Sequence, residues 1–253
     1  MPSVHRVNPP PWLDRDGGPE VPAPPADASQ DRAPAAPDNP PVPLSDPVLL
    51  LADLSLASAA VALALWLRPW RSFAGHELPW PWLLWWLLLP LLWGADHYAH
   101  SALLQPLSGA VLLMLLAGWP LAMMALPLDA LLVWGVGDLP AALALHRLVW
   151  LGVVPATLAL LIGAGLRRWL PHHLFIYILG RGFFGTLLAV AVAGALALVL
   201  TGPPAGAEVA DLLVARWLAA SGEAFLTGML VAIFVAFRPQ WLATYSDRLY
   251  LPR

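Results

Sequence analysis

The chain has 253 residues, of which 59% are hydrophobic and 11% charged, with a formal net charge of −3 at pH 7. A soluble domain carries roughly 25% charged residues, so too little polar surface remains here to cover a water-soluble fold. The composition points to an all-α polytopic membrane helix bundle. There is no cysteine, and all 13 basic residues are arginine. These absences exclude thiolate metal sites and cysteine nucleophiles, the Walker-A lysine and Schiff-base chemistry. Energy from ATP has to enter through a partner protein.

Residues 1–47 contain 14 of the 28 prolines, seven carboxylates and three arginines. Such a segment buries too little apolar surface to fold, so a disordered, Pro-rich extracytoplasmic tail is predicted. The apolar segments of a transmembrane bundle (48–253) follow, at about 48–67, 80–95, 101–117, 120–136, 141–166, 172–200 and 207–237. About 20 apolar residues are needed to cross a hydrocarbon core of ~30 Å, and the second, third and fourth segments fall short of that. They tilt little, extend into flanking sequence, or are partly re-entrant. Pro90, Pro127 and Pro155 lie inside spans, where kinks are predicted. Trp70, Trp80, Trp82, Trp119, Trp169 and Trp241 lie near proposed ends, as interfacial tryptophans do.

Arginine placement orients the seven spans. Arg68 and Arg71 follow the first, Arg167 and Arg168 the fifth, and Arg238, Arg248 and Arg253 the seventh. An odd number of crossings puts all of these on one side. That side is cytoplasmic by the positive-inside rule, with the amino terminus outside and the carboxyl terminus inside a bacterial inner membrane. Small residues at Gly163-Ala164-Gly165, Ala191 with Ala195, and Ala224 with Gly228 mark expected close helix packing.

Ionisable residues inside apolar spans are expensive, and they mark partners or function. Arg181 and Glu223 both fall near mid-depth, in adjacent spans, and a pair between them that fixes packing or couples motion is predicted. Asp96, His97 and His100 form an external cluster. The two histidines, three apart, share a helix face, and imidazole with carboxylate suits cobalt, nickel, copper or zinc. His172 and His173 read as interfacial groups, since adjacent helical residues diverge by about 100°. Asp53, Asp129, His146 and Arg147 are further intramembrane polar groups facing other helices. There is no G-x-S-x-G, H-E-x-x-H or paired-carboxylate motif, and no enzyme activity, cofactor or nucleic-acid partner is expected.

The segments LFIYILGRGFFGTLLA, EAFLTGMLVAIFVAFRPQWLATYSDRLYL and SGAVLLMLLAGWPLA resemble the substrate-capture component of energy-coupling-factor transporters for cobalt and nickel, the CbiM/NikM family. Arg238, Pro239, Trp241, Asp247 and Tyr250 stand at the places of the family's cytoplasmic end, and Glu223 at its last acidic block. The resemblance covers roughly residues 80–252. It implies a seven-helical fold, an external amino terminus, capture of a cobalt or nickel ion as substrate, and partnership with a transmembrane coupling protein and cytosolic ATPase subunits in the lipid bilayer. The family's ligands are the free amino terminus, a histidine at the second residue, and a histidine before the third block. This chain has Met1-Pro2 at its start and Pro106 at the last position. His97 and His100, with Asp96, are the substitute ligands expected, and His5 is a further one from the tail. The competing readings are a binder of another small substrate on the same scaffold and a non-transport membrane assembly subunit that has lost the metal site.

Overall fold

A computed structural model describes residues 44, 46–68, 81–99, 105–171, 173–203 and 207–245. All lie in the compact unit Asn39–Arg253. Residues 1–43 and 45 of the predicted tail, including His5, and also His100 and His172, fall outside the described residues, while Asp46 and Pro47 of that tail open α1. Every regular element among those described is helical. In chain order these are α1 (Pro47–Trp66), α2 (Pro81–Trp93), the single turn α3 (Ala95–Tyr98), α4 (Ala110–Ala117), α5 (Trp119–Gly135), α6 (Ala141–Trp169), α7 (Ile176–Thr201) and α8 (Val209–Phe237). A short 3-10 turn, Pro239–Trp241, closes the series.

Four of these helices, α1, α6, α7 and α8, are long and apolar enough to cross a membrane. Their side chains are arranged as lipid requires. The buried face of α1 is Asp53, Ala57, Ala60 and Ala64, while Leu51, Leu54, Leu63 and Trp66 are exposed. In α7 the buried row is Ala189, Ala193 and Ala197, with Leu188, Val192, Leu196 and Val199 outward. Small residues inside and large apolar residues outside are what helix packing in hydrocarbon selects; in water such outward patches are rare on a monomer. The buried alanines of α7 lie two residues, about 200°, round the helix from the expected Ala191 and Ala195, which are half-buried. The expected row Ala224 and Gly228 of α8 is buried, and a Cβ on Gly228 would stand 3.2 Å from Phe183 of α7.

Local chemistry sets the helix ends and breaks. Asp46 caps α1, its carboxylate accepting from the N–H groups of Val48 at 2.8 Å and Leu49 at 3.3 Å, with Pro47 at the first helical position. In α6 the turn Leu148–Val153 is π-helical and ends two residues before Pro155. The wider turn reroutes hydrogen bonds where the proline has no N–H to give. A second π segment, Ile176–Phe184, opens α7 around Gly180-Arg181-Gly182.

The third predicted span is corrected. Residues 105–109 are not helical, and α4 has eight residues, about 12 Å at 1.5 Å each, too short to cross alone. Gly109 at φ 62° and Gly118 at φ 85° bracket it, and both conformations favour glycine and end helical runs. Seven of its eight residues are buried, because α2, α5, α6 and α8 surround it. The interfacial assignment of Trp119 is corrected too. It is buried, and its indole donates to Thr157 Oγ1 at 3.0 Å.

Candidate functional site

A helix that begins inside a bundle leaves backbone N–H groups without intrahelical partners, and hydrocarbon offers no water to take them. Ser108 Oγ accepts from Ala110, the first residue of α4, at 3.2 Å, and Glu223, in the middle of α8 and 2% exposed, takes the two N–H groups just ahead of the helix. Ser108 N–H donates to its Oε2 at 2.8 Å and Gly109 N–H to its Oε1 at 2.9 Å. The carbonyls of the same two residues accept from indoles of α2, Ser108 from Trp93 and Gly109 from Trp85, each at 2.8 Å. A negative group at a helix start also suits the helix dipole. A Cβ on Gly109 would run into Leu89 and approach Leu92 to 3.3 Å. The non-helical stretch 105–109 is therefore fixed from four sides, and it presents Gln105 and Pro106 to a cavity.

That cavity, of about 400 Å³, lies at one end of the bundle. The starts of α6 and α8, the end of α7, Asp96 of α3 and Leu44 just ahead of α1 form its wall. Leu143, Leu151, Val190, Ala197 and Leu212 supply the apolar part. The polar part is cationic. Arg147 is buried, with Nη2 donating to Asp96 Oδ2 at 2.7 Å and Nη1 donating to the Trp93 carbonyl. His146 Nδ1 meets Asp53 Oδ2 at 2.8 Å, and Trp150 donates to the other oxygen of Asp53 at 3.0 Å. Arg216 donates through Nη1 to the carbonyl of Gly194. Among the described residues no carboxylate lies within 4.0 Å of Arg216, and its Nε is buried without a partner. Arg147 is offset by Asp96, and Asp53 is shared by His146 and Trp150, so among the described residues Arg216 is the arginine on the wall without a carboxylate beside it.

The opposite end is closed. After α8 the chain folds back, and Ala243 N–H donates to the carbonyl of Leu116 at 3.2 Å. Thr244 Oγ1 donates to the carbonyl of Leu115 at 3.3 Å and shares a 2.8 Å hydrogen bond with Tyr177. Arg181 donates to the Thr244 carbonyl at 3.4 Å and lies over the Tyr177 ring, 5.6 Å from its centroid. The predicted pair of Arg181 with Glu223 is corrected. Both residues are buried, but Arg181 turns to this closed end while Glu223 caps α4. Each group bonds to backbone instead, the arginine to one carbonyl with its Nε left unpartnered among the described residues, and the carboxylate to two N–H groups.

Of the expected metal ligands, Asp96 is on the cavity wall and bonded to Arg147, while His97 is exposed and stacks edge-on against Tyr98 with centroids 6.0 Å apart. His100 lies outside the described residues. Among the described residues no group of three or more His, Asp or Glu side chains could hold a metal ion. His173 is exposed. Asp129 is fully buried, and neither of its oxygens has a hydrogen-bond partner among the described residues.

Sequence reading assigned Arg216 no functional role. It stands eight residues into an apolar helix of 29, a little over two turns, and is half-buried, with its Nε enclosed. No family model, curated protein or solved structure matches this chain. What fold and site together define is an all-helical protein with four membrane-length apolar helices and, at one end, a cavity whose wall carries Arg147 and Arg216.

Proposed function

We propose that this chain is the integral-membrane substrate-capture component of an energy-coupling-factor importer. In this reading it has no enzyme activity of its own and works with a transmembrane coupling protein and cytosolic ATPase subunits. The observation that carries the reading is Pro106 on the wall of the cavity. By the resemblance this is the position at which the family holds a substrate ligand, which supports reading the cavity as the capture point.

The proposed topology has seven crossings in a bacterial inner membrane. The short α2 and α5, and α4 together with the non-helical stretch 105–109 ahead of it, complete the number begun by the four long helices. The cavity borders the starts of α6 and α8, and Arg167, Arg168 and Arg238 stand at the far ends of α6 and α8. With those arginines cytoplasmic, the cavity faces outward, as capture requires.

The resemblance makes the substrate a cobalt or nickel ion, held by Asp96, His97 and His100. A second reading, another small substrate on the same scaffold, is favoured by the arginines. Asp96 is already committed to Arg147, and a divalent cation beside Arg147 and Arg216 would meet repulsion on the wall that should attract it. Radioactive cobalt and nickel uptake by cells carrying the chain, with metal content of the purified protein, separates the two. Uptake abolished by His97→Ala or His100→Ala supports the metal. Uptake of neither ion, in cells where an ATPase still co-purifies with the tagged chain, supports the second reading. Failure of any ATPase or coupling protein to co-purify from native membranes contradicts the proposal as a whole and favours an assembly subunit.

A further inference from the structure

We infer that the end cavity binds a small organic anion, a carboxylate or phosphate ester carrying an apolar body, with Arg216 as the group that receives its negative charge. This rests on the cavity being the capture site and adds to that reading the chemical class of what is captured.

Charge is the first observation. A guanidinium inside an apolar bundle is costly unless it is compensated. Arg147, next to the same cavity, is compensated by Asp96. Arg216 has only the Gly194 carbonyl, one neutral acceptor for a cation with five N–H donors. Glu208 and Asp211 lie on the same helix, but they are exposed and absent from the cavity wall. From the other elements the titratable groups on the wall are Asp96, His146 and Arg147, all engaged in the two ion pairs. An incoming anion is the group that would complete Arg216.

Size and lining come second. About 400 Å³ falls in the range of small-molecule sites, roughly 300–1,000 Å³, and far exceeds what a bare ion held by side chains requires. Leu143, Leu151, Val190 and Leu212 give the space an apolar wall, which a metal ion cannot use and an alkyl or ring body can. Gln105 reaches the wall from the stretch fixed by Glu223 and has no hydrogen-bond partner among the described residues, so its amide is available to a polar substituent. Guanidinium is also the side chain that receives carboxylate and phosphate best, through parallel N–H bonds.

The source of the anion is either a solute or a lipid headgroup, and the test separates them. The full chain, reconstituted in phosphatidylcholine nanodiscs, is titrated by calorimetry with hexanoate, hexyl phosphate, neutral hexanamide, and cobalt and nickel chloride. Saturable binding of hexanoate or hexyl phosphate is expected, with hexanamide weaker by roughly tenfold or more, as loss of one charge-assisted bond implies. Arg216→Gln removes that preference, Arg216→Lys keeps part of it, and Arg168→Gln at the opposite end leaves it unchanged. If phosphatidylglycerol in the disc competes with hexyl phosphate, the anion is a headgroup; if it does not, the anion is a solute. Either outcome keeps the site. Equal binding of hexanoate and hexanamide, undiminished anion binding by folded Arg216→Gln, or no saturable binding of either anion overturns the inference. Should Arg216→Gln fail to fold, the wild-type comparison of hexanoate with hexanamide decides alone. Saturable metal binding without anion binding would sink this inference and leave the capture role standing. Anion binding with no ATPase partner would do the reverse.

Discussion

The two ends of the bundle each hold an arginine that donates to a backbone carbonyl and whose Nε is buried without a partner among the described residues; what differs is the space around them. Around Arg181 the neighbours close in. Gly163 is small because a Cβ there would collide with the guanidinium, and Tyr177 and Thr244 fill the remaining space. The cavity beside Arg181 is only about 10 Å³, whereas Arg216 borders one of about 400 Å³. One arginine is consumed in fastening the returning chain to α4 and α7; the other is left facing space. Burial of a charge is therefore not the mark of a site. The mark is a charge whose surroundings leave room for its counter-ion.

The sharpest way to break that contrast is at the link between the ends. Glu223→Leu leaves two buried N–H groups without acceptors, at ~1–3 kcal/mol each. The largest loss of thermal stability in detergent is expected there, together with loss of cavity binding as the 105–109 stretch is released. Glu223→Gln, which keeps one acceptor oxygen, should lose less. Gly109→Ala forces a Cβ into Leu89 and into left-handed backbone, which alone costs ~1–2 kcal/mol, and its melting temperature should fall by less than that of Glu223→Leu. Arg181→Gln removes one hydrogen bond and one cation–π contact, ~1–2 kcal/mol together. The melting temperature should drop while ligand affinity at the cavity stays at the wild-type value. A parallel loss of affinity would show that the ends are not independent. The smallest effect is expected at Asp129→Asn, within about 1 kcal/mol in a denaturation midpoint, because no hydrogen bond is removed with the carboxylate. A drop of several kcal/mol would reveal a partner for Asp129.

The four long helices were legible because each is a long, mainly apolar run with at most a few ionisable residues inside it, and the ends read from sequence fall within a few residues of those observed. The break before α4 was written in Pro106 and Gly109, yet apolar residues on both sides made 101–117 look continuous. Only Glu223, more than a hundred residues away, explains how a helix can begin there. The pairing of Arg181 with Glu223 failed for a related reason. Sequence gives depth along a helix but not which backbone groups elsewhere lie bare and in need of a partner. Arg216 was hidden by its nearness to a helix end, where arginines ordinarily reach to the interface. With no shared partner, a double-mutant cycle on Arg181 and Glu223 should give a coupling below about 0.5 kcal/mol.

The direction in which the cavity opens can be measured without background, since the chain has no cysteine. Gln105→Cys lines the cavity and Ala243→Cys lies at the closed end beside Leu116. A membrane-impermeant maleimide applied to cells with the outer membrane permeabilised and the inner membrane intact should label Gln105→Cys at once, and Ala243→Cys only after the inner membrane is opened. Labelling of Ala243→Cys in the intact state, with Gln105→Cys protected, would place the cavity on the cytoplasmic side and contradict outward-facing capture.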